Sequence, residues 1–154
     1  MLLPFVVVVV VPVWLLTSWP RLDHRWNSVP FVYGGRALGL LMFVAGLLLF
    51  SWCVVLFARV GRGTLAPWDP TQRLVAVGPY RHVRNPMISA VGAMLVGEAL
   101  FFGSAMLAGW ALLFVAINHV YFLASEEPGL HRRFGDAYVD YKRHVPRWLP
   151  RLRP

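Results

Sequence analysis

MISAVGAMLVGEALFFGSAMLAGWALLFVAINHVYFLA, residues 87–124, runs apolar for 38 positions and contains a single acidic side chain, Glu98. As one helix rising ~1.5 Å per residue it would measure ~57 Å, nearly twice the ~30 Å hydrocarbon core of a bilayer. The stretch therefore has to fold back on itself. Phe102-Gly103-Ser104 is the turn-like tripeptide near its midpoint, which predicts a tight hairpin of helices over 86–102 and 104–126. Ser89, Ala93 and Gly97 recur every fourth residue and predict close packing between the two hairpin helices. Glu98 stands about one turn from the hairpin end, and its expected role is structural, reaching the outer interface.

Working outward toward the N-terminus, residues 37–58 (ALGLLMFVAGLLLFSWCVVLFA) form a second kind of apolar run, 22 residues without a charge, followed at once by Arg59 and Arg62. Residues 2–19 are almost wholly apolar and read as a further span rather than a cleaved signal peptide, since no basic n-region or small-residue cleavage site accompanies them. Pro12 removes a donor inside this helix and should bend it. The expected fold class is an all-α integral membrane protein, one membrane domain over residues 1–154. It has about four spans (2–19, 37–58, 86–102, 104–126), polar loops at 20–36 and 59–86, and a tail at 127–154. Gly61-Arg62-Gly63 is no phosphate loop, because no strand precedes it and no Gly-Lys-Ser/Thr follows.

Composition agrees: 58% of the residues are hydrophobic and 14% charged, outside the range of an ordinary soluble domain. The formal net charge of +8 comes from 15 Lys and Arg against 7 Asp and Glu. Every basic residue lies outside the apolar runs, which favours anionic headgroups and membrane topology over nucleic acid as the explanation. Five basic residues fall in loop 59–86 and seven in the tail, twelve against three in loop 20–36. The positive-inside rule then puts loop, tail and both termini in the cytoplasm. Cys53 is the only cysteine; it has no disulfide partner and reads as a small hydrophobe.

Two polar clusters interrupt this scaffold: Gly78-Pro79-Tyr80-Arg81-His82-Val83-Arg84-Asn85-Pro86-Met87, and Glu126-Glu127 just before Pro128. Asn85 suits a helix N-cap and Pro86 the first helical position. A helix starting there points unpaired N–H groups at the loop, where a carboxylate or phosphate could sit with Arg81 and Arg84 in reach. Tyr80 offers an aromatic face to a sulfonium or ammonium cation. At α-helical spacing Asn118, Phe122 and Glu126 form a polar-aromatic stripe with His119 beside it, expected to line a pocket. His119 fits equally a hydrogen bond to a neighbouring helix. In the tail, Leu130, Phe134, Tyr138, Tyr141 and Val145 keep helical spacing among charged residues, as in amphipathic helices lying on a membrane. Gly135-Asp136 should interrupt them, with Asp136 available to cap the second piece.

At these residues the chain resembles the integral membrane methyltransferases of the isoprenylcysteine carboxyl methyltransferase and phospholipid methyltransferase group. The likeness covers roughly residues 72–150 and rests on Gly78-Pro79-Tyr80, Arg84-Asn85-Pro86, Glu126-Glu127 with Leu130, Phe134-Gly135, Tyr138, Tyr141 and Val145-Pro146. The resemblance implies S-adenosyl-L-methionine as cofactor, held by Gln72, Arg73, Leu74, Val75, Tyr80, Asn85, Pro86, Met87, Ile88, Glu126 and Glu127. It implies an acceptor positioned by Arg84, with His82 and His119 as weaker candidates for proton removal. Asn85 stands where the family often has His, and Ile88 where it has Tyr. Phe122 stands where the eukaryotic carboxyl methyltransferases carry an arginine for the substrate carboxylate, which argues against a prenylcysteine acceptor. The expected partners are the bilayer and a lipophilic or small-molecule methyl acceptor. No metal is expected, because displacement at a sulfonium carbon needs alignment and exclusion of water rather than a Lewis acid. The competing reading is a non-enzymatic membrane protein whose basic loop and tail bind anionic lipid or a protein partner.

Overall fold

The computed structural model describes residues 2–20, 23, 29–61 and 76–148. Among these the chain is helical, without strands. The helices are α1 (Leu2–Phe5), α2 (Val11–Ser18), α3 (Val29–Leu56), α4 (Pro86–Phe102), α5 (Ala105–Tyr121), α6 (Glu127–Phe134) and α7 (Asp136–His144). A short 3-10 helix occupies Gly78–Arg81, and π-helical turns occupy Val6–Val10, Phe57–Gly61 and Phe122–Glu126. Two continuous helices are long and apolar enough to cross a membrane, Val32–Val60 and Ala105–Phe134; Leu3–Ser18 and Pro86–Phe102 are shorter apolar helices.

Two of the boundaries differ from the sequence reading. α3 starts at Val29, eight residues inside the expected loop 20–36: Pro30 falls in a first turn, where its missing N–H costs nothing. The last apolar helix does not stop before Pro128 but runs on to Phe134. π turns explain how two of the prolines, Pro12 and Pro128, are carried inside continuous helices. Before Pro12, the Val11 N–H bonds to Val6 O, five residues back; before Pro128, the Glu127 N–H bonds to Phe122 O in the same way. A wider turn relieves the collision between a proline ring and the carbonyl four residues earlier, so the helix passes the proline instead of ending at it.

The contacts group the chain into two compact units. The first comprises residues 1–48 and 90–116. In it α3 and α4 meet at their backbones: a Cβ on Gly39 would lie 2.5 Å from Gly97 O, and one on Gly97 2.6 Å from Gly39 O. The small face containing Gly97 thus packs on α3, not on the hairpin partner as its spacing suggested; toward α5 it is Gly92 that approaches, its Cβ position 3.7 Å from Val115. The hairpin turn falls where expected. Gly103 adopts φ 61°, a left-handed conformation that suits glycine at a helix C-terminus. Ser104 then caps α5 by accepting the Leu107 N–H on its hydroxyl at 3.2 Å. The same hydroxyl donates to Asp23 Oδ1 at 2.8 Å, and the Met106 N–H donates to that oxygen at 3.2 Å. Asp23, unremarkable in the sequence, is therefore the buried anchor of the α5 N-terminus. Glu98 is partly exposed, and one of its carboxylate oxygens, Oε2, is buried without a hydrogen-bond partner among the described residues.

Pro12 has no N–H to give, and the Val7 carbonyl, five residues before it, accepts the indole N–H of Trp110 at 3.1 Å. In an apolar surrounding an unpaired carbonyl is costly. Trp110→Phe should therefore lower stability by about 1 to 3 kcal/mol, read as a reduced melting temperature in detergent; an unchanged melt would show that another donor serves Val7.

Candidate active site

The second unit comprises residues 49–89 and 117–154, and both polar clusters belong to it. Its apolar centre is Cys53, fully buried, against Tyr80, with Leu49, Leu56, Phe57 and Met87 packed around them. The loop is fitted to this centre by Gly78, which has φ 59° and whose Cβ would stand 2.9 Å from Leu56 Cδ1. Only glycine meets both demands. The 3-10 turn then delivers Tyr80 inward, its ring 5.5 Å from that of Phe57, and α4 begins at Pro86 as the Asn85-Pro86 pair suggested.

Glu127 is the electrostatic centre. It is nearly buried and receives Arg84 Nη1 at 2.9 Å, Lys142 Nζ at 2.6 Å, and both Nε and Nη2 of Arg147, the former at 3.0 Å. Three cations from the loop, from α7 and from the segment after it thus converge on one carboxylate. Two neutral hydrogen bonds reinforce the closure. The Arg84 N–H donates to Pro146 O at 2.9 Å, and the Tyr141 hydroxyl donates to Tyr80 O at 2.6 Å. Burial pushes the Tyr80 and Tyr141 phenols well above the usual tyrosine range, so both remain protonated donors at neutral pH.

Beneath this closure lies a cavity of about 320 Å³, at the lower end of the size range for small-molecule sites. The loop and the start of α4 supply Tyr80, Arg84, Asn85, Met87 and Ile88; the end of the long helix supplies Phe122, Glu126 and Glu127. Sequence reasoning had named all of these. It had not placed Phe57, Tyr121, Tyr138 or Tyr141 in the site; all four rings line the cavity. The amphipathic spacing of the tail was the signal for the last two, since its apolar face had to cover something.

Other expected residues stand elsewhere. His82 and His119 are not in the cavity wall. The His119 Nδ1 accepts the indole N–H of Trp148 at 3.2 Å, which leaves the proton of the neutral ring on Nε2, and the Trp148 ring lies 5.9 Å from Phe122. Asn118 is likewise outside the wall, while Phe122 and Glu126 of the same stripe line it; the π turn also brings Glu127, five residues on, over Phe122. Asp136 is the first residue of α7 and Gly135, with φ 52°, takes the capping position instead. Pro86 is buried behind the wall. Gln72, Arg73, Leu74 and Val75 lie outside the described residues.

The described residues thus combine two helices long and apolar enough to cross a bilayer with an aromatic cavity that holds a carboxylate. Residues 35–137, about two thirds of the chain, match the phospholipid methyltransferase family. The chain belongs to this family of integral membrane methyltransferases. No curated protein matches it.

Proposed function

We propose that the protein transfers a methyl group from S-adenosyl-L-methionine to a small or lipidic acceptor carrying a carboxylate, amine or thiol, at the cytoplasmic face of a four-span membrane domain. The cavity carries this reading. Its wall is largely aromatic, which favours a sulfonium, and Glu126 adds a carboxylate for the cofactor's amino or hydroxyl groups. Arg84 Nε is buried and has no hydrogen-bond partner among the described residues, so a ligand oxygen beside it would complete an otherwise unpaired donor. When bound, the cofactor supplies a methyl group on a positively charged sulfur, with a neutral thioether as leaving group.

The residues divide the remaining work. Glu126 binds and orients the polar end of the cofactor, while Asn85, Met87 and Ile88 shape its pocket at the start of α4. Phe57, Tyr121 and Phe122 exclude water, and Arg84 holds an acceptor or cofactor oxygen through Nε while its Nη1 stays on Glu127. Glu127 itself acts by positioning Arg84. Alignment and desolvation are the two contributions such a site makes to displacement at carbon.

Calorimetry with S-adenosyl-L-homocysteine tests the assignment. The wild-type protein in detergent should bind saturably, and Glu126→Gln should weaken binding about 10- to 100-fold, the loss of one or two charge-assisted hydrogen bonds. Equal affinity in the variant would remove Glu126 from the site, and no binding by the wild type would remove the cofactor.

A further inference from the structure

The same unit holds a second depression, of about 770 Å³, between α6 and α7. It shares Glu127 and Tyr138 with the first cavity, but its remaining lining is of a different kind: Leu123, Pro128 and Val139 form an apolar part, and His131, Lys142 and Arg143 a cationic one. We propose that this groove holds the phosphate-bearing headgroup of an anionic phospholipid.

Charge complementarity supports the assignment. The carboxylate of Glu127 is already shared by Arg84, Lys142 and Arg147, so it does not repel an anion as a free carboxylate would. Arg143 faces Asp140 only at 3.8 Å, and both side chains are largely exposed; such a pair is weak and yields readily to a phosphate, which a guanidinium can bind through two N–H groups. His131 is exposed on α6 and adds a donor from the opposite wall.

The order of side chains along the helix identifies the anion as lipid rather than free phosphate. Val120 and Leu123 are 62% and 50% exposed and, three residues apart, share one face of the long helix just before the groove. A phospholipid presents the same sequence of chemistries, an acyl chain followed at once by a phosphate, and a site at a helix end where apolar surface gives way to cations matches it. This assignment does not depend on methyl transfer.

Native mass spectrometry of the full chain in neutral detergent tests it, with phosphatidylglycerol and phosphatidylcholine of identical acyl chains added in equal amounts and inorganic phosphate as a separate probe. The wild type should retain the anionic lipid about tenfold over the zwitterionic one. The double variant His131→Gln/Arg143→Gln touches no residue of the first cavity; it should lose this preference while keeping its melting temperature. Arg143→Lys, which preserves the charge, should keep most of it. Undiminished preference in the double variant would overturn the proposal. Displacement of the lipid by millimolar inorganic phosphate would overturn its lipid part, since the acyl chain would then contribute nothing.

Discussion

Glu127→Ala should cost the protein about 3 to 5 kcal/mol, the usual penalty for removing one partner from a buried ion-pair cluster. The side chains of Arg84 and Arg147 are only 12% and 17% exposed, so the variant leaves two nearly buried guanidinium groups side by side with no counter-ion. Lys142 is half exposed and simply turns to water. The loop bearing Tyr80 and Arg84 and the segment from α7 to Trp148 would then lose their ion pairs and keep neutral links such as the Arg84–Pro146 and Tyr141–Tyr80 hydrogen bonds. Trypsin digestion in detergent reads the result directly: cleavage after Arg132, Arg133, Lys142 and Arg143 should accelerate at least tenfold and the melting temperature fall. S-adenosyl-L-homocysteine binding should weaken too, because Arg84 loses the group that positions it. Wild-type proteolysis rates in Glu127→Ala would show that the cluster does not hold the tail.

Gly97→Val should be similarly damaging for a purely steric reason. The first atom added at this position meets Gly39 O at 2.6 Å and Phe43 N at 2.8 Å, and backbone atoms of a helix cannot step aside as a flexible side chain could. Separating α3 from α4 to admit the valine gives up packing along their whole contact, at a cost of about 3 kcal/mol, the upper part of the range for overpacked sites. Gly109→Ala supplies the contrast within the same unit. A Cβ there meets nothing within 4 Å, so the alanine should stabilise α5 by roughly 0.5 to 1 kcal/mol through helix propensity alone. Thermal melting of the two variants beside the wild type should show shifts of opposite sign; equal shifts would mean that glycine content rather than close approach governs this unit.

Local chemistry made much of this architecture legible. The hairpin turn at Gly103, the start of α4 after Asn85 and the break at Gly135 each depend on a residue whose backbone preference is visible in isolation. The loop and the Glu pair that face one cavity were legible because polar residues flanking an apolar run have few other uses. What escaped was whatever depends on a distant partner. Asp23 looks like any loop aspartate until Ser104 and Met106 arrive, and neither Lys142 nor Arg147 can be told from its cationic neighbours until Glu127 is placed between them. The face of α4 that contains Gly97 was recognised, but the helix it meets was not, since spacing tells which residues are small and not what approaches them. Of the stripe through Asn118, Phe122 and Glu126, the last two line the cavity and Asn118 does not, because helical spacing tells which residues share a face and not how far along the helix a cavity extends.

The two π turns beside Pro12 and Pro128 have a meaning in terms of insertion and deletion. Each makes its helix one residue longer than an α-helix covering the same ground, and in each the proline comes two residues after the turn ends. Deleting a single residue between Phe122 and Glu126 would restore α-helical winding with everything beyond it nearly in place, but the ring of Pro128 would then meet the carbonyl four residues before it. Extra residue and proline therefore form one heritable unit. In relatives of this chain they should be gained or lost together, and a relative keeping the proline without the extra residue should show a kinked or broken helix at that point.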